Sequence, residues 1–94
     1  MINGAKFFKD AIKAIPPDIQ KQVDWSMSIS DMIAQLLSKK GLSQKDFAQI
    51  MNKTETEVSR WLAGRHNFTL STLSKISIAL GEDVINMTNH REKH

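Results

Sequence analysis

Apolar residues recur every three or four positions along most of the chain, which is the spacing of an amphipathic α-helix. The pattern runs from Ile19 to Leu37 and returns in the segments 43–51, 54–63 and 70–80. No segment shows the strict alternation of a half-buried strand. The sequence therefore predicts an all-α fold, with a possible last helical turn in "EDVINM" at residues 82–87.

Residues typical of helix ends divide these periodic segments. Lys39-Lys40-Gly41 reads as a basic last turn followed by a glycine stop. Ser43, with Asp46 three residues later, predicts a capping box at the start of the next helix. Thr54 predicts a further helix start. The helices that follow are expected to bury a list of apolar side chains: Phe47, Ala48, Met51, Val58, Trp61, Leu62, Leu70, Leu73, Ile76 and Leu80.

The first third of the chain leaves two questions open. Phe7, Phe8 and Ile12 have helical spacing and predict a short amphipathic helix before Pro16-Pro17. Its apolar side is expected to complete the core, to form a dimer contact or to bind a partner such as a toxin. A membrane-surface helix also fits the pattern, but ten residues bind a membrane weakly. From Asp18 to Lys40, the segment "SMSIS" contains a possible cap, so one long helix and two abutting helices both fit.

The composition restricts the class of protein. Ninety-four residues suit one small domain, and the absence of cysteine excludes disulfides and thiolate metal sites. No apolar run reaches the roughly 18 residues of a membrane span. The N-terminus lacks the features of a signal peptide. We therefore expect a soluble protein of the cytoplasm.

The positive charge is concentrated in one part of the sequence. Residues 39–69 contain six basic and three acidic residues, hence 6 − 3 = +3, while the rest contains seven of each. A local positive excess favours a nucleic-acid partner.

The sequence offers little catalytic chemistry. His90 and His94 have helical i, i+4 spacing but lie in a polar tail without a companion ligand, and His66 stands alone. The four glycines are isolated and form no phosphate-binding loop. We therefore expect no metal, no cofactor and no enzymatic activity.

Only Asn52 and Lys53 separate the helix that begins at Ser43 from the one that begins at Thr54. So short a connection forces a steep crossing, as in a helix-turn-helix. Ala48 is small enough for a close crossing, and Asn52 tolerates the positive φ that the turn requires.

The second half of the chain resembles the XRE family, whose relatives include the lambdoid phage repressors and Cro. The resemblance lies in residues 41 to 81, "GLSQKDFAQIMNKTETEVSRWLAGRHNFTLSTLSKISIALG". With the preceding helix the resemblance covers about residues 28–85. It implies a lambda repressor-like five-helix domain, usually dimeric, that binds double-stranded DNA. The remaining parts are then an N-terminal helical extension (1–27) and a flexible tail (86–94). The segment "IPPDIQKQVDWSMSIS" further resembles antitoxins of the HigA-like type.

The resemblance implies roles for particular residues. In the helix from Thr54 to Ala63, the base-facing positions are Glu55, Thr56, Ser59 and Arg60. The forked guanidinium of Arg60 suits guanine, and the carboxylate of Glu55 suits the amino group of cytosine. The expected phosphate contacts are Gln44, Lys45, Lys53, Arg65, Asn67 and Thr69. Asn67 and Thr69 are equally suited to capping the helix near Leu70.

The sequence thus predicts a DNA-binding transcriptional regulator, most simply a homodimeric repressor. Two alternatives stay open. One is an antitoxin that binds a toxin and regulates its own operon, and the other is a protein-interaction module that does not bind DNA.

Overall fold

The fold of residues 15–87, the part of the chain that the computed structural model describes, is all-α. Within this part there are four helices and no strand: α1 (Pro17–Lys40), α2 (Gln44–Met51), α3 (Glu55–Leu62) and α4 (Leu70–Leu80). The prediction of an all-α, lambda repressor-like fold is confirmed. The predicted helix before Pro16 and most of the predicted tail, including His90 and His94, lie outside the described residues.

α1 is one continuous helix, which decides between the one long helix and the two abutting helices that the sequence allowed. Pro16 has extended backbone angles (φ −59°, ψ 140°), and Pro17 occupies the first helical position, where its missing N–H is not needed. At the other end Gly41 adopts the left-handed conformation with φ 67°. The N–H of Leu42 donates to the carbonyl of Leu37 over 2.9 Å, which closes the helix end.

All four helices contribute to one hydrophobic core. Its buried apolar members are Ile33, Leu36, Leu37, Phe47, Ala48, Val58, Trp61, Leu73, Ile76, Leu80 and Val84. Phe47 and Trp61 meet edge to face, with ring centroids 6.0 Å apart. This contact between α2 and α3 fixes the two helices that form the candidate site.

The prediction that Leu70 is buried is wrong. Its side chain is 76% exposed, whereas Leu73, one turn further, is buried. Leu70 is the first residue of α4 and borders a shallow groove with Ile78 and Met87 instead of entering the core. Leu70 is therefore part of an exposed apolar surface and not of the core.

The segment after Gly81 forms bends in place of the expected last helical turn. Val84 is nevertheless buried, and its N–H donates to the hydroxyl of Ser77 over 3.1 Å. A side chain on α4 thus satisfies the backbone group that a further helical turn would have satisfied.

Candidate nucleic-acid interface

α2 and α3 are joined by a three-residue turn in which Asn52 has positive φ. Its backbone angles are φ 56° and ψ 46°, and it is the one non-glycine residue with positive φ in the described part of the chain. The N–H groups of Asn52 and Lys53 donate to the carbonyls of Gln49 and Ala48 over 3.1 and 2.8 Å. Ala48 is buried at the crossing. The predicted helix-turn-helix geometry is therefore present.

Replacing Asn52 tests the turn. Asn52→Ala is expected to destabilise the protein by about 1–2 kcal/mol, since a Cβ-bearing side chain without the local polar contacts of asparagine is strained in the left-handed region. Asn52→Gly removes that strain and is expected to restore or raise stability. Urea unfolding measures both, and equal losses in the two variants would show that the asparagine side chain, not φ, matters here.

Both helices of the motif begin with a reciprocal capping box. In α2 the Ser43 hydroxyl accepts from the N–H of Asp46 while the Asp46 carboxylate accepts from the N–H of Ser43, both over 3.0 Å. In α3 Thr54 and Glu57 make the same pair of contacts over 3.1 and 3.4 Å. The first box was predicted and the second was not. Glu57 therefore stabilises the start of α3 through its capping box. Its negative charge also interacts favourably with the helix dipole at this end.

The Asp46 carboxylate is the titrating group of the first box. The N–H of Ser43 holds the pKa of Asp46 below its ordinary value of 3.8, and the Ser43 hydroxyl and then Lys45 lower it further. A carboxyl group whose pKa is lowered on folding stabilises the protein above its unfolded pKa. That contribution is lost as the pH falls through the lowered value.

We expect Asp46→Asn to lower the melting temperature slightly at neutral pH, because the uncharged amide binds the Ser43 N–H more weakly. The difference from wild type should shrink as the pH falls below 3.8, where the wild-type carboxylate also becomes neutral. Calorimetry over a pH series measures it. Asp31→Asn, at an exposed position of α1, is the control for removing one charge. A deficit that persists at low pH would contradict the assignment.

α3 has a buried side and an exposed side. Val58 and Trp61 point into the core, whereas the four predicted base-facing residues are all exposed: Glu55, Thr56, Ser59 and Arg60. At 100° per residue these four lie on one arc opposite the buried pair. The side of α3 that carries them is thus open to a ligand.

A hydrogen bond crosses the motif on its exposed side. The hydroxyl of Ser59 on α3 donates to the side-chain carbonyl of Gln44 at the start of α2, over 2.9 Å. This contact fixes the Gln44 amide and leaves its N–H groups as donors beside α3. Ser59, a predicted base contact, and Gln44, a predicted phosphate contact, are therefore joined by a hydrogen bond.

The C-terminal end of α3 is anchored to α1 by a contact that the sequence pattern did not indicate. The buried hydroxyl of Ser30 donates to the backbone carbonyl of Trp61 over 2.5 Å. Carbonyls in the last turn of a helix lack an intrahelical partner, so a buried one needs such a donor. Small Ser26 and Ser30 on the core-facing side of α1 were the available signal, but "SMSIS" had suggested a cap.

The loop after α3 is ordered by aromatic packing. His66 and Phe68 meet edge to face at 4.8 Å, and both rings lie 6.4 Å from Trp61. Thr69 caps α4, since its hydroxyl accepts from the N–H of Thr72 over 3.1 Å. Asn67 is exposed and forms no side-chain hydrogen bond within residues 15–87. Of the two expected caps, Thr69 is the one observed.

Two of the six basic residues in the window 39–69 are paired with a carboxylate from outside it. Lys39 and Lys40, at the far end of α1, lie 3.3 and 3.9 Å from the Glu82 carboxylate. Without them the window 39–69 keeps four basic and three acidic residues, hence 4 − 3 = +1. The four that remain are Lys45, Lys53, Arg60 and Arg65, which belong to the motif and the loop after it. These four have no carboxylate within salt-bridge distance in the described part of the chain.

Comparison with known protein families agrees with this geometry. The family model described as Helix-turn-helix matches residues 33–85, more than half of the 94-residue chain. The fold and the match define a DNA-binding regulatory domain, a class that is not enzymatic. The chain belongs to the XRE/Cro-like helix-turn-helix family. No curated protein and no solved structure matches it. Between residues 15 and 87, no helix has the length and apolar character to cross a membrane.

Proposed function

We propose that this protein is a sequence-specific transcriptional repressor of the cytoplasm that reads the major groove of double-stranded DNA with α3. The exposed arc of Glu55, Thr56, Ser59 and Arg60 is the observation that carries the proposal. A helix of this size fits the major groove, where each base pair presents a distinct pattern of donors and acceptors. Arg60 donates to the O6 and N7 atoms of a guanine, and Thr56 contacts a thymine methyl group.

Polar groups around α3 hold the phosphates. Gln44, fixed by Ser59, donates its amide N–H groups to one phosphate. Lys45 and Lys53 supply charge at the two ends of α2, and Arg65, Asn67 and Thr69 act beside the start of α4. Their charge provides affinity through counterion release, which makes binding dependent on salt.

The two glutamates have different roles in this proposal. Glu57 supports the helix start through its capping box. Glu55 is exposed on the reading side, where it accepts from the N4 amino group of a cytosine and repels a misplaced phosphate. Acidic residues at the start of α3 therefore sharpen the choice of sequence at some cost in non-specific affinity.

Repression of a palindromic site requires a dimer with its reading helices about 34 Å apart. We assign the contact to an apolar surface on and beside α4, formed by Ile50, Leu70, Ile78 and Met87. These side chains are 50, 76, 85 and 80% exposed. Lys75 and Asp83 are the charged residues that line the two shallow grooves between these side chains, and the other lining residues are apolar or uncharged. Few charges are characteristic of the centre of a protein–protein contact.

Ile78→Asp is expected to convert the dimer to a monomer, because it places a charge at the centre of this apolar surface. Sedimentation of the purified protein measures the change, and circular dichroism checks that the fold is kept. Ile19→Asp, an equivalent change on an exposed residue of α1, is the control. A dimer that survives Ile78→Asp but not Ile19→Asp would move the contact to α1.

Selection of bound duplexes from a random DNA library tests the proposal as a whole. A recurrent inverted repeat for the wild-type protein is the expected result. A variant with Thr56→Ala and Arg60→Ala should lose the sequence preference while keeping weak, salt-sensitive binding. No recurrent sequence for wild type, together with association to a protein that resists salt, would instead favour the interaction module.

A further inference from the structure

The loop 65–69, which joins α3 to α4, has an outer and an inner side. It contains no helix, turn or bend, and Thr69 at its end has extended angles (φ −89°, ψ 157°). Successive side chains of an extended backbone point to opposite sides. Exposure alternates accordingly: Arg65, Asn67 and Thr69 are exposed, whereas His66 and Phe68 are half-buried. The three predicted phosphate contacts of this loop therefore share its outer side.

The inner side of the loop packs on α3. The rings of His66 and Phe68 meet edge to face, with 4.8 Å between their centroids and 82° between their planes. The ring of Trp61, which is buried in the core, lies 6.4 Å from each of them. Centroid distances of about 4.5–7 Å are those of favourable aromatic pairs. The half-buried rings therefore attach the middle of the loop to α3.

The two ends of the loop are anchored by other contacts. Gly64, which precedes the loop, has φ 91°, and a Cβ at this position would lie 3.6 Å from the Cγ of Met27 on α1. At the other end, the hydroxyl of Thr69 accepts from the N–H of Thr72 over 3.1 Å and donates to the hydroxyl of Thr72 over 3.0 Å. The ends are thus held without the aromatic contacts of the middle.

The middle of the loop carries two side chains that do not hold their own backbone in place. Arg65 and Asn67 form no side-chain hydrogen bond or salt bridge in the described part of the chain. Of the two inner rings, His66 is the one that lies between Arg65 and Asn67 along the chain. The packing of His66 on Trp61 and Phe68 therefore sets the position from which both outer side chains project.

We propose that His66 is a positioning residue for DNA binding, which holds Arg65 and Asn67 in place for contact with the phosphate backbone. The assignment rests on the proposed function, because it concerns the phosphate contacts of the same interface. Side chains that are ordered before binding lose less conformational entropy when the DNA arrives. A histidine suits this position, since its ring has an apolar body for packing and polar nitrogens for the half that faces water.

His66→Ala is expected to weaken binding to the selected operator about tenfold, because Arg65 and Asn67 must then be ordered during binding. The slope of log Kd against log salt should fall by about one, the contribution of one phosphate contact. Arg65→Ala should give the same decrease in slope. The ratio of affinities for the operator and an unrelated duplex should remain, since the exposed side of α3 is unchanged. Fluorescence anisotropy at several salt concentrations measures all three quantities.

Two further variants separate the packing of His66 from other effects. His66→Phe keeps an aromatic ring against Trp61 and removes both nitrogens, so it is expected to retain the affinity and the slope of the wild type. Leu42→Ala truncates a half-buried side chain that packs against the core before α2. This variant should lower stability without changing the slope. Circular dichroism checks that every variant is folded.

Three results of these binding measurements would overturn the assignment. Wild-type affinity and slope in His66→Ala would show that the outer side chains do not depend on this ring. A loss in His66→Phe as large as that in His66→Ala would make the imidazole itself a phosphate contact. The same decrease of slope in Leu42→Ala would show that any loss of stability has this effect.

A measurement without DNA distinguishes failure of this assignment from failure of the proposed function. Backbone order parameters from NMR relaxation for residues 65–67 should be about 0.85 in the wild type and in His66→Phe, and below about 0.6 in His66→Ala. Equal values in the wild type and His66→Ala would overturn the assignment even if the wild type binds DNA. A wild type that binds no duplex would overturn the proposed function, and the role of His66 in binding with it.

Discussion

Trp61→Ala is expected to destabilise the protein by about 3–5 kcal/mol, the usual cost of truncating a large buried aromatic side chain. Trp61 is 4% exposed and packs against Phe47, with His66 and Phe68 on its other sides. One residue thus links α2, α3 and the loop toward α4. Since small domains are stable by about 5–15 kcal/mol, the variant should be close to unfolding.

The chain provides a matched control for this experiment. Trp25, its other tryptophan, is 65% exposed on α1, so Trp25→Ala is expected to change stability by no more than about 0.5 kcal/mol. Urea unfolding followed by far-ultraviolet circular dichroism compares both variants without relying on tryptophan fluorescence. Similar losses in the two variants would contradict the packing described for Trp61.

Arg60→Lys is expected to reduce affinity for the selected operator by about 1–3 kcal/mol per half-site, although the positive charge is retained. The planar guanidinium donates two parallel hydrogen bonds to guanine, whereas the lysine ammonium acts as a compact point charge. Arg60→Ala should lose as much specificity and, in addition, some salt-dependent affinity. Fluorescence anisotropy with labelled duplexes at two salt concentrations measures both effects.

To test whether Arg60 contacts a guanine, the operator must be changed as well as the protein. Wild type should bind more weakly to an operator in which A·T replaces the contacted G·C pair. Arg60→Ala should bind the two duplexes equally, and Arg60→Lys should show a smaller preference than wild type. Lys39→Ala removes one charge beside Glu82, far from α3 along the chain, and is expected to leave this preference intact. If Arg60→Ala still discriminated between the duplexes, Arg60 would be a phosphate contact and not a base contact.

The helix-turn-helix is the part of the fold that local sequence predicts best. Its signals act over a few residues: a capping box at Ser43, an asparagine where φ must be positive, and a glycine stop at Gly41. Such signals depend on backbone geometry and on neighbouring side chains, so they hold in most tertiary contexts. The same locality explains why Val58 and Trp61 were identified as the buried side of α3.

Leu70 and the residues 82–87 show where the periodic pattern misleads. Leu70 has the spacing of a core residue but is the first residue of its helix and borders the groove. Val84 enters the core without a helical turn because a distant hydroxyl, that of Ser77, satisfies its N–H. The periodic pattern indicates which side of a helix is apolar, but it does not indicate how far along the helix the core extends.

By itself the sequence determined the helical class, the turn between α2 and α3, and the family, because each depends on short-range patterns of apolar, capping and turn residues. Tertiary structure alone decided the bond between Ser30 and Trp61, the coupling of Gln44 to Ser59, and the pairing of Lys39 and Lys40 with Glu82. These contacts join residues 15 to 43 positions apart. Spacing along the chain carries no information about such pairs until the core has packed the helices together.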